Sequence, residues 1–383
     1  MVTISVCMIV KNEEKYLQRC LESVKYFADE IIIVDTGSLD TTKDIARQFT
    51  DKIFDFQWVH DFSLARNFAL SHAKMEWIFV IDADEFIAMN PKELLHKSKF
   101  GQDVLAFSFI QRNYTNTTTI PSFKLIKEDA EHIPLDVQQM FKGYSERPFI
   151  KLFKNVSFLR YKYFVHEQLD GFSDVKKQVA FTSQVVHHLG FDAGLSEEKK
   201  RYYLSLCEKQ AALYPKDEIV LFNLAMAYAD NKQMDKAVVV LYTIYSINRN
   251  FHNLVRVLSD FLVKLGRIDE SQQLLQRQIE YLVSQEERDN KELSYLYYLL
   301  GLLYFVQKKF SEAQQNYQLS NQYFENADAY NGLALLLLFA KEYRTAHDIL
   351  LKAEKLNPYN PNVITNLEKV KGLLGILPEK HNL

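Results

Sequence analysis

Hydrophobic residues follow two different patterns along the chain, and the change comes near residue 195. In the first part, short runs of consecutive apolar residues alternate with segments in which apolar residues recur every three or four positions. Such runs are typical of strands buried on both faces, and the second spacing is typical of amphipathic helices. The pattern predicts strands over residues 4–10, 30–34 and 77–81, and helices over 12–25 (capped by Asn12), 41–49 and 63–73.

This order of strands and helices implies a parallel sheet with helices on both faces. In such sheets, ligands bind beyond the carboxyl ends of the strands. Acidic residues follow two of the predicted strands, at Asp35 and at residues 82–85. Because these strand ends lie at one edge of the sheet, we expect the two acidic turns to be neighbours and to form a ligand site.

From about residue 196 the pattern is wholly helical and repetitive. Four small residues in equivalent places are 34, 42 and 33 residues apart: Ala237, Ser271, Ala313 and Ala346. The tetratricopeptide period is ~34 residues, and an unrelated helical bundle explains the spacing poorly. We therefore predict an α/β domain over 1–195 and a tetratricopeptide-repeat domain over 196–383, in which residues 361–375 form a capping helix. Asn223 and Asn331 are expected on its concave face.

Composition narrows the class of protein. Hydrophobic residues make up 48% and charged residues 25%, which excludes a disordered chain. The net charge of −3 disfavours a nucleic-acid partner. The three cysteines suit a reducing compartment, and the longest apolar stretch, residues 334–340, is far short of the ~20 residues that span a bilayer. The N-terminus resembles a strand more than a signal peptide, so the expected location is the cytoplasm.

Carboxylates supply the candidate chemistry. The chain has neither a G-x-G-x-x-G nor a GK[ST] motif, which argues against dinucleotide oxidoreductases and P-loop enzymes. Asp82 and Asp84 flank one small residue on a turn, so their hard oxygen ligands can converge on Mg²⁺ or Mn²⁺. A lone acidic turn is also common as a solvated surface feature. Asp35 is placed to accept from a base or ribose, and Arg66 to meet a diphosphate.

Several segments together resemble one known family. VKNEE, IIIVDTGSLDTT, DFSLARNFAL and WIFVIDADEF, followed by FVHEQL and HHLGF, are similar to the successive blocks of family 2 glycosyltransferases with the GT-A fold. The resemblance covers residues 1 to about 192. It implies a Rossmann-like mixed α/β sheet with helices on both faces. The chain is most similar to the cytoplasmic branch with C-terminal tetratricopeptide repeats, which includes the peptide S-glycosyltransferases of glycosylated bacteriocins.

The resemblance also implies roles for the site residues. Asp35 would contact the uracil or ribose of a UDP-sugar, assisted in donor binding by Lys11 and Arg66. Asp84 would be the direct metal ligand and Asp82 would lie nearer the ribose, while His188 would complete the shell around the metal or diphosphate. Many members of the family carry a second Asp where this chain has Thr36, which leaves the base contact on Asp35 less secure.

Inverting transfer needs a base to deprotonate the acceptor. The segment FVHEQL offers Glu167 first and His166 second. The alternative is that Glu167 only orients His166 or a backbone turn. His187, beside His188, is as compatible with a packed strand residue as with a ligand.

These observations favour an inverting, metal-dependent transferase that moves a hexose from a UDP-sugar, similar to UDP-glucose, to a peptide. The most specific form of this hypothesis is that the acceptor is a cysteine thiol of a bacteriocin precursor. Repeat solenoids form extended concave surfaces that suit peptides, so the repeats are expected to hold the acceptor and also offer a surface for oligomers. One alternative is a transferase for cell-surface glycan or lipopolysaccharide assembly. Another is a non-catalytic repeat scaffold, which the intact acidic residues disfavour.

Overall fold

The computed structural model describes residues 2–96, 103–118, 122–190 and 196–376. Contacts between Cα atoms divide the chain into two compact units, Met1–Leu213 and Tyr214–Leu383. The domain boundary predicted at 195/196 from the change in pattern stays a prediction, but the spatial division falls later. The helix Glu197–Leu213 therefore belongs with the first unit, and this matters for the site described below.

The first unit combines strands with helices. Its strands are β1 (Ile4–Val10), β2 (Glu30–Asp35), β3 (Ile53–Asp55), β4 (Trp77–Val80), β5 (Glu85–Ile87), β6 (Ala106–Thr115), β7 (Lys124–Leu125), β8 (Gly143–Lys154), β9 (Arg160–Lys162), β10 (Gln168–Asp170) and β11 (Val179–His188). Its helices are α1 (Leu17–Val24), α2 (Thr42–Ala46), α3 (Phe62–His72), α4 (Lys92–His96), α5 (Leu135–Met140), α6 (Val175–Gln178) and α7 (Glu197–Leu213).

The main sheet is mixed. Within the described residues its strands follow the order β3-β2-β1-β4-β8-β6-β11-β5, with β7 paired separately to β8. The pairs among β3, β2, β1 and β4 are parallel, whereas β8 runs antiparallel to both β4 and β6. Strands β9 and β10 form a separate two-stranded sheet. This architecture confirms the predicted α/β class and its mixed sheet.

Alternate residues of β1 point into two different cores, as the pleat of a strand requires. Val6 and Met8 pack with residues of α1 on one face of the sheet. Cys7 packs with Ala69 and Leu70 of α3 on the other face. The continuous apolar run at β1 therefore reflects burial on both faces.

The prediction that Asn12 caps the first helix is wrong, because α1 begins only at Leu17. Asn12 instead adopts a left-handed conformation with φ of 57°. Its side chain accepts a hydrogen bond of 2.8 Å from the backbone N–H of Leu39, and its own N–H donates to Ser38 Oγ at 2.9 Å. Asn12 thus ties the loop after β1 to the loop after β2, which shapes the edge where ligands are expected.

The second unit is a row of helix pairs that ends in one further helix. The pairs are α8 (Glu218–Asp230) with α9 (Met234–Ile247), α10 (Leu254–Lys264) with α11 (Ile268–Val283), α12 (Asn290–Val306) with α13 (Phe310–Tyr323), and α14 (Ala327–Phe339) with α15 (Tyr343–Leu356); the capping helix α16 spans Pro361–Leu374. No helix in the described part of the chain is both long enough and apolar enough to cross a membrane.

The small residues that set the repeat period all occupy the same structural position. Ala237, Ser271, Ala313 and Ala346 are each the fourth residue of the second helix of a pair, and each is completely buried. Small side chains there let the paired helices approach closely. Ser271 keeps its hydroxyl satisfied by a 2.8 Å hydrogen bond with Ser259 of the partner helix. The predicted repeat architecture is confirmed.

The expectation that Asn331 lies on the concave face of the repeats is wrong. Asn331 is 8% exposed and accepts a 2.7 Å hydrogen bond from Asn366 of the capping helix, so it is a packing residue. Asn223 is half-buried. The two-helix periodicity did not distinguish the open face from the face that packs against the next pair.

Candidate active site

A cavity of about 550 Å³ opens at the carboxyl ends of β1, β2 and β4. It contains all the predicted site residues except Asp35. The side chains around it come from strand ends, from α3, from the loop before β10 and from α7. They are Ile9, Val10, Lys11, Glu13, Thr36, Trp58, Phe62, Arg66, Asp82, Ala83, Asp84, Val165, His166, Glu167, His188, Lys199, Tyr202 and Tyr203.

Asp35 is the last residue of β2, is 1% exposed and does not line the cavity. Its Oδ1 accepts hydrogen bonds from the backbone N–H groups of Gly37 and Ser38 at 2.8 and 2.9 Å. Its Oδ2 is buried without a hydrogen-bond partner. The neighbouring Thr36 lines the cavity instead. The contact of Asp35 with a base or ribose therefore stays a prediction.

Arg66 links two carboxylates of the cavity, those of Asp82 and Glu167, by hydrogen bonds. Its Nη2 donates to Asp82 Oδ1 at 2.7 Å, and its Nε donates to Glu167 Oε1 at 2.7 Å. The Arg66 side chain is only 11% exposed and lies over the ring of Tyr161. The contact of Arg66 with a diphosphate stays a prediction; in this structure its hydrogen bonds link Asp82 to the candidate base Glu167.

The turn after β4 is held in a defined charge state. Burial works against ionisation of Asp82, but the positive charges of Arg66 and Lys151 outweigh it and hold the pKa of the Asp82 carboxyl well below its usual range. The backbone N–H of Asp82 donates to Glu85 at 2.9 Å. Glu85 is itself 1% exposed and ion-paired with Lys151 at 2.6 Å. The turn therefore presents ionised Asp82 on a buried, charge-paired support.

Asp84 and His188 meet on the opposite side of this turn. Asp84 Oδ2 lies 3.2 Å from His188 Nε2, while His188 Nδ1 lies 2.7 Å from Asn113 Oδ1. Burial lowers the pKa of His188, but the hydrogen bond and charge of Asp84, together with the charges of Glu85 and Asp82, give a net upward shift. Gly190 makes room for this pair, because a Cβ there would lie 1.9 Å from Asp84 Oδ2.

This geometry fits two ligands of one cation. Adjacent ligands of an octahedral ion with bonds of ~2.1 Å are about 3.0 Å apart, close to the Asp84–His188 separation. The described residues contain no cluster of three or more His, Cys, Asp or Glu side chains able to hold a metal, so the set of three ligands stays a prediction. Asp82 turns toward Arg66 instead.

His187 is a packed strand residue. It is 3% exposed, stacks on Phe86 with a ring separation of 4.5 Å, and its Nδ1 lies 2.7 Å from the hydroxyl of Tyr114. Burial and the nearby charge of Arg112 lower its pKa to about 4. Of the two readings of His187, the structure supports the packed one.

Glu167 lies in a loop with unusual backbone geometry. Tyr163 and His166 both have positive φ, at 81° and 54°. Such conformations cost of order 1–3 kcal/mol and persist only when the surroundings hold them. Here the backbone N–H of Phe62 donates to Phe164 O at 2.9 Å, and that of Val165 donates to Gln210 Oε1 of α7 at 3.3 Å.

Because Gln210 is 1% exposed, replacing it by Met should leave the Val165 N–H without an acceptor and allow the loop that carries Glu167 to move. We expect the transfer rate to fall by about tenfold or more, since small misplacements of a catalytic group have large effects. Steady-state kinetics and thermal unfolding of Gln210→Met measure this. The control is Gln184→Met, another buried glutamine that does not line the cavity. Equal rates in the two variants would contradict a positioning role for Gln210.

The sequence did not reveal two features of the site. Glu13 lines the cavity, and burial together with the charges of Asp84 and Asp82 raises its pKa to about 7. An aromatic wall forms where Tyr202 of α7 accepts a 3.0 Å hydrogen bond from Trp58 Nε1. The available signals were the position of Glu13 directly after β1 and the Tyr-Tyr pair in α7. The Tyr-Tyr pair lies in α7, which the change in pattern near residue 195 assigns to the repeats.

The mixed sheet places these carboxylates at the carboxyl edge of its parallel strands, where open α/β sheets bind ligands. Residues 5–162 match the family described as "Glycosyl transferase family 2". The N-terminal domain is therefore a family 2 glycosyltransferase domain, and the chain joins it to tetratricopeptide-type repeats. This confirms the resemblance found in the sequence.

Three curated relatives illustrate the range of similar proteins. A TPR repeat-containing protein of Synechococcus elongatus is 40% identical over 33% of this chain and 31% of its own length. The SPbeta prophage-derived glycosyltransferase SunS of Bacillus subtilis is 27% identical over 57% of this chain and 48% of its own. The lipopolysaccharide core biosynthesis glycosyltransferase LpsC of Rhizobium meliloti is 35% identical over 29% of this chain and 43% of its own. The chain thus spans less than half the length of each of these relatives.

Proposed function

We propose that the protein is an inverting glycosyltransferase that moves a hexose from a UDP-sugar to a peptide side chain, with a cysteine thiol as the favoured acceptor atom. The observation that carries this proposal is the Asp82–Arg66–Glu167 bridge within one cavity. It sets a candidate base for the acceptor beside a carboxylate that belongs to the donor side.

The shape and charge of the cavity support a nucleotide-sugar donor. Its volume is ordinary for a cofactor-sized ligand, and it lies where open α/β sheets bind nucleotides. Lys11 and Lys199 bring positive charge to a wall otherwise rich in carboxylates. We therefore infer that the diphosphate lies between these lysines and the Asp82–Asp84 turn, with the nucleoside toward Thr36 and Asp35.

We further propose that Asp84 and His188 hold Mg²⁺ or Mn²⁺, with Asp82 close to the same ion. When bound, such a cation would neutralise charge on the leaving diphosphate. The 3.2 Å separation of Asp84 Oδ2 and His188 Nε2 supports this assignment. In this proposal Asp82, the other carboxylate of the turn, also holds the Arg66 side chain in place.

In the proposed transfer step, one proton moves from the acceptor to the protein, and one bond replaces another at the anomeric carbon of the sugar. Glu167 accepts the proton of the acceptor S–H as sulfur attacks the anomeric carbon from the face opposite the diphosphate. The new C–S bond forms while the bond from the anomeric carbon to the diphosphate oxygen breaks, and UDP leaves with the electron pair. Attack from the opposite face inverts the configuration at that carbon. A positioned base of this kind contributes typically 10²- to 10⁴-fold.

A peptide acceptor is supported by the repeats, whose architecture commonly binds peptides in grooves. The second unit contains its own cavity of about 620 Å³ between the loops that precede α10 and α12. Charged and polar groups line it, among them Arg249, Asn250, Glu286 and Asp289. Such a lining suits a polar peptide segment better than a single sugar.

We also propose a cytoplasmic location, since all three cysteines are free and buried; cell fractionation tests this.

The test of the proposed function is incubation of the full chain with UDP-glucose, Mn²⁺ and synthetic peptides that differ only in carrying Cys or Ser at one position. We expect a mass increase of one hexose on the Cys peptide and slower transfer to the Ser peptide, because a thiol is ionised more readily than a hydroxyl. The similarity to LpsC makes a glycan acceptor the second candidate. Transfer to a lipopolysaccharide core oligosaccharide, with none to either peptide, would replace the peptide proposal by the glycan one.

A further inference from the structure

A second cavity of about 450 Å³ lies on the other side of the Arg66 bridge. It shares four lining residues with the donor cavity: Arg66, Asp82, His166 and Glu167. The two cavities therefore meet at the candidate base. A base that takes a proton from the acceptor while the donor reacts must contact both substrates, and Glu167 is placed between two separate spaces.

The lining of the second cavity includes a group of apolar side chains: Val80, Pro148, Phe149, Ile150 and Leu169. Phe149 and Lys151 project from the same face of β8, two residues apart, and Leu169 of β10 also lines the space. Phe149 is 43% exposed. The exposed ring therefore offers apolar surface at the mouth of the cavity.

The charges in the second cavity are already paired with one another. Lys151 lies 2.6 Å from Glu85, and Arg66 is bonded to Asp82 and Glu167. A second diphosphate would have to break these buried pairs, which is strongly unfavourable. Lys11 and Lys199 line the first cavity and not this one. The second cavity thus favours an uncharged occupant.

We propose that the second cavity is the acceptor subsite, and that it selects peptides in which an apolar residue flanks the residue that receives the sugar. This inference rests on the proposed transferase function and specifies its substrate class. The reacting side chain enters next to Glu167, and the flanking apolar side chain packs on Phe149. The subsite lies wholly within the first unit, so it recognises the residues around the acceptor atom independently of the repeats.

The experiment compares two probes, acetyl-Leu-Cys-Leu-amide and acetyl-Gly-Cys-Gly-amide, with UDP-glucose as donor. The full-length protein should prefer the leucine peptide in kcat/KM. Phe149→Ala should reduce that preference by roughly tenfold, which is an ordinary effect of a lost apolar contact on discrimination. Phe149→Leu should retain most of the preference because it keeps apolar surface. The matched control is Phe158→Ala, since Phe158 is 55% exposed, belongs to the same unit and lines neither cavity.

The outcomes separate the two proposals. Equal preference in the unchanged protein, Phe149→Ala and Phe158→Ala would overturn the acceptor subsite while leaving the transferase intact. Absence of any preference in the unchanged protein would do the same. If neither peptide is glycosylated although UDP-glucose is hydrolysed, the peptide-acceptor function itself is wrong and the subsite falls with it. Tryptophan fluorescence of Phe149→Trp, titrated with the leucine peptide alone, reports peptide binding without turnover, and no change would also overturn the subsite.

Discussion

Glu167→Gln is expected to lower the rate of transfer by about 10²- to 10⁴-fold while UDP-sugar affinity changes little, because a base acts on the acceptor and not on the donor. The substitution is nearly isosteric, and the amide oxygen can still accept the hydrogen bond that Arg66 Nε now donates to Glu167 at 2.7 Å. The geometry of the bridge should therefore survive while the capacity to take a proton is lost. A thiol acceptor should give the lower end of this range, since cysteine is partly ionised near pH 8.

Single-turnover rates and donor titration measure these two effects separately. Glu146→Gln is a matched control, because Glu146 is also bonded to an arginine, Arg112, at 2.7 Å and lines neither cavity. Its rate should stay close to that of the unchanged protein. Lost donor affinity in Glu167→Gln, with unchanged turnover at saturating donor, would make Glu167 a binding residue and place the base elsewhere, with His166 as the next candidate.

Asp84→Asn should reduce transfer by roughly 10²-fold or more, since it removes a charge that would hold the cation against the leaving diphosphate. The amide keeps the size of the side chain and can still contact His188, so the fold should be retained. Calorimetric titration with UDP and Mn²⁺ should show weaker coupling between the two ligands, a readout that needs no turnover.

Asp55→Asn serves as the control for this substitution. Asp55 also ends a parallel strand of the same sheet, but its side chain is 79% exposed and it does not line the cavity. Chelation with EDTA should reproduce the loss seen in Asp84→Asn and add little to it. Full transfer by the unchanged protein in excess EDTA would remove the metal role, and Asp84 would then act only as a carboxylate beside His188.

The sequence predicted those parts of the molecule that depend on local pattern. Strand β1 begins and ends where its largely apolar run predicts, at Ile4 and Val10, because a strand buried on both faces is apolar at nearly every position; the polar exception, Ser5, is completely buried. The acidic turn after β4 was located because parallel strands end at one edge. The repeat period was visible because the four small positions face the same helix contact in every pair.

Other expectations failed where local and distant partners compete. Asn12 is a good helix-capping residue by type, yet its side chain bonds to Leu39 of another loop, and the helix starts later. Asn331 is polar, yet it packs against Asn366 in the capping helix. In both cases the residue type allowed two partners, and contacts outside the local segment selected between them.

The sequence by itself determined the α/β and repeat architecture and the position of the acidic turn after β4, because both follow from periodicity and strand order. Only the tertiary structure decided how the carboxylates are used. Arg66 and Glu167 are 101 residues apart in sequence, and Val165 and Gln210 are 45 apart, so no local pattern records either contact. Long-range packing placed Glu167 between two cavities and joined α7 to the transferase unit, since burial of polar groups requires a specific partner for each.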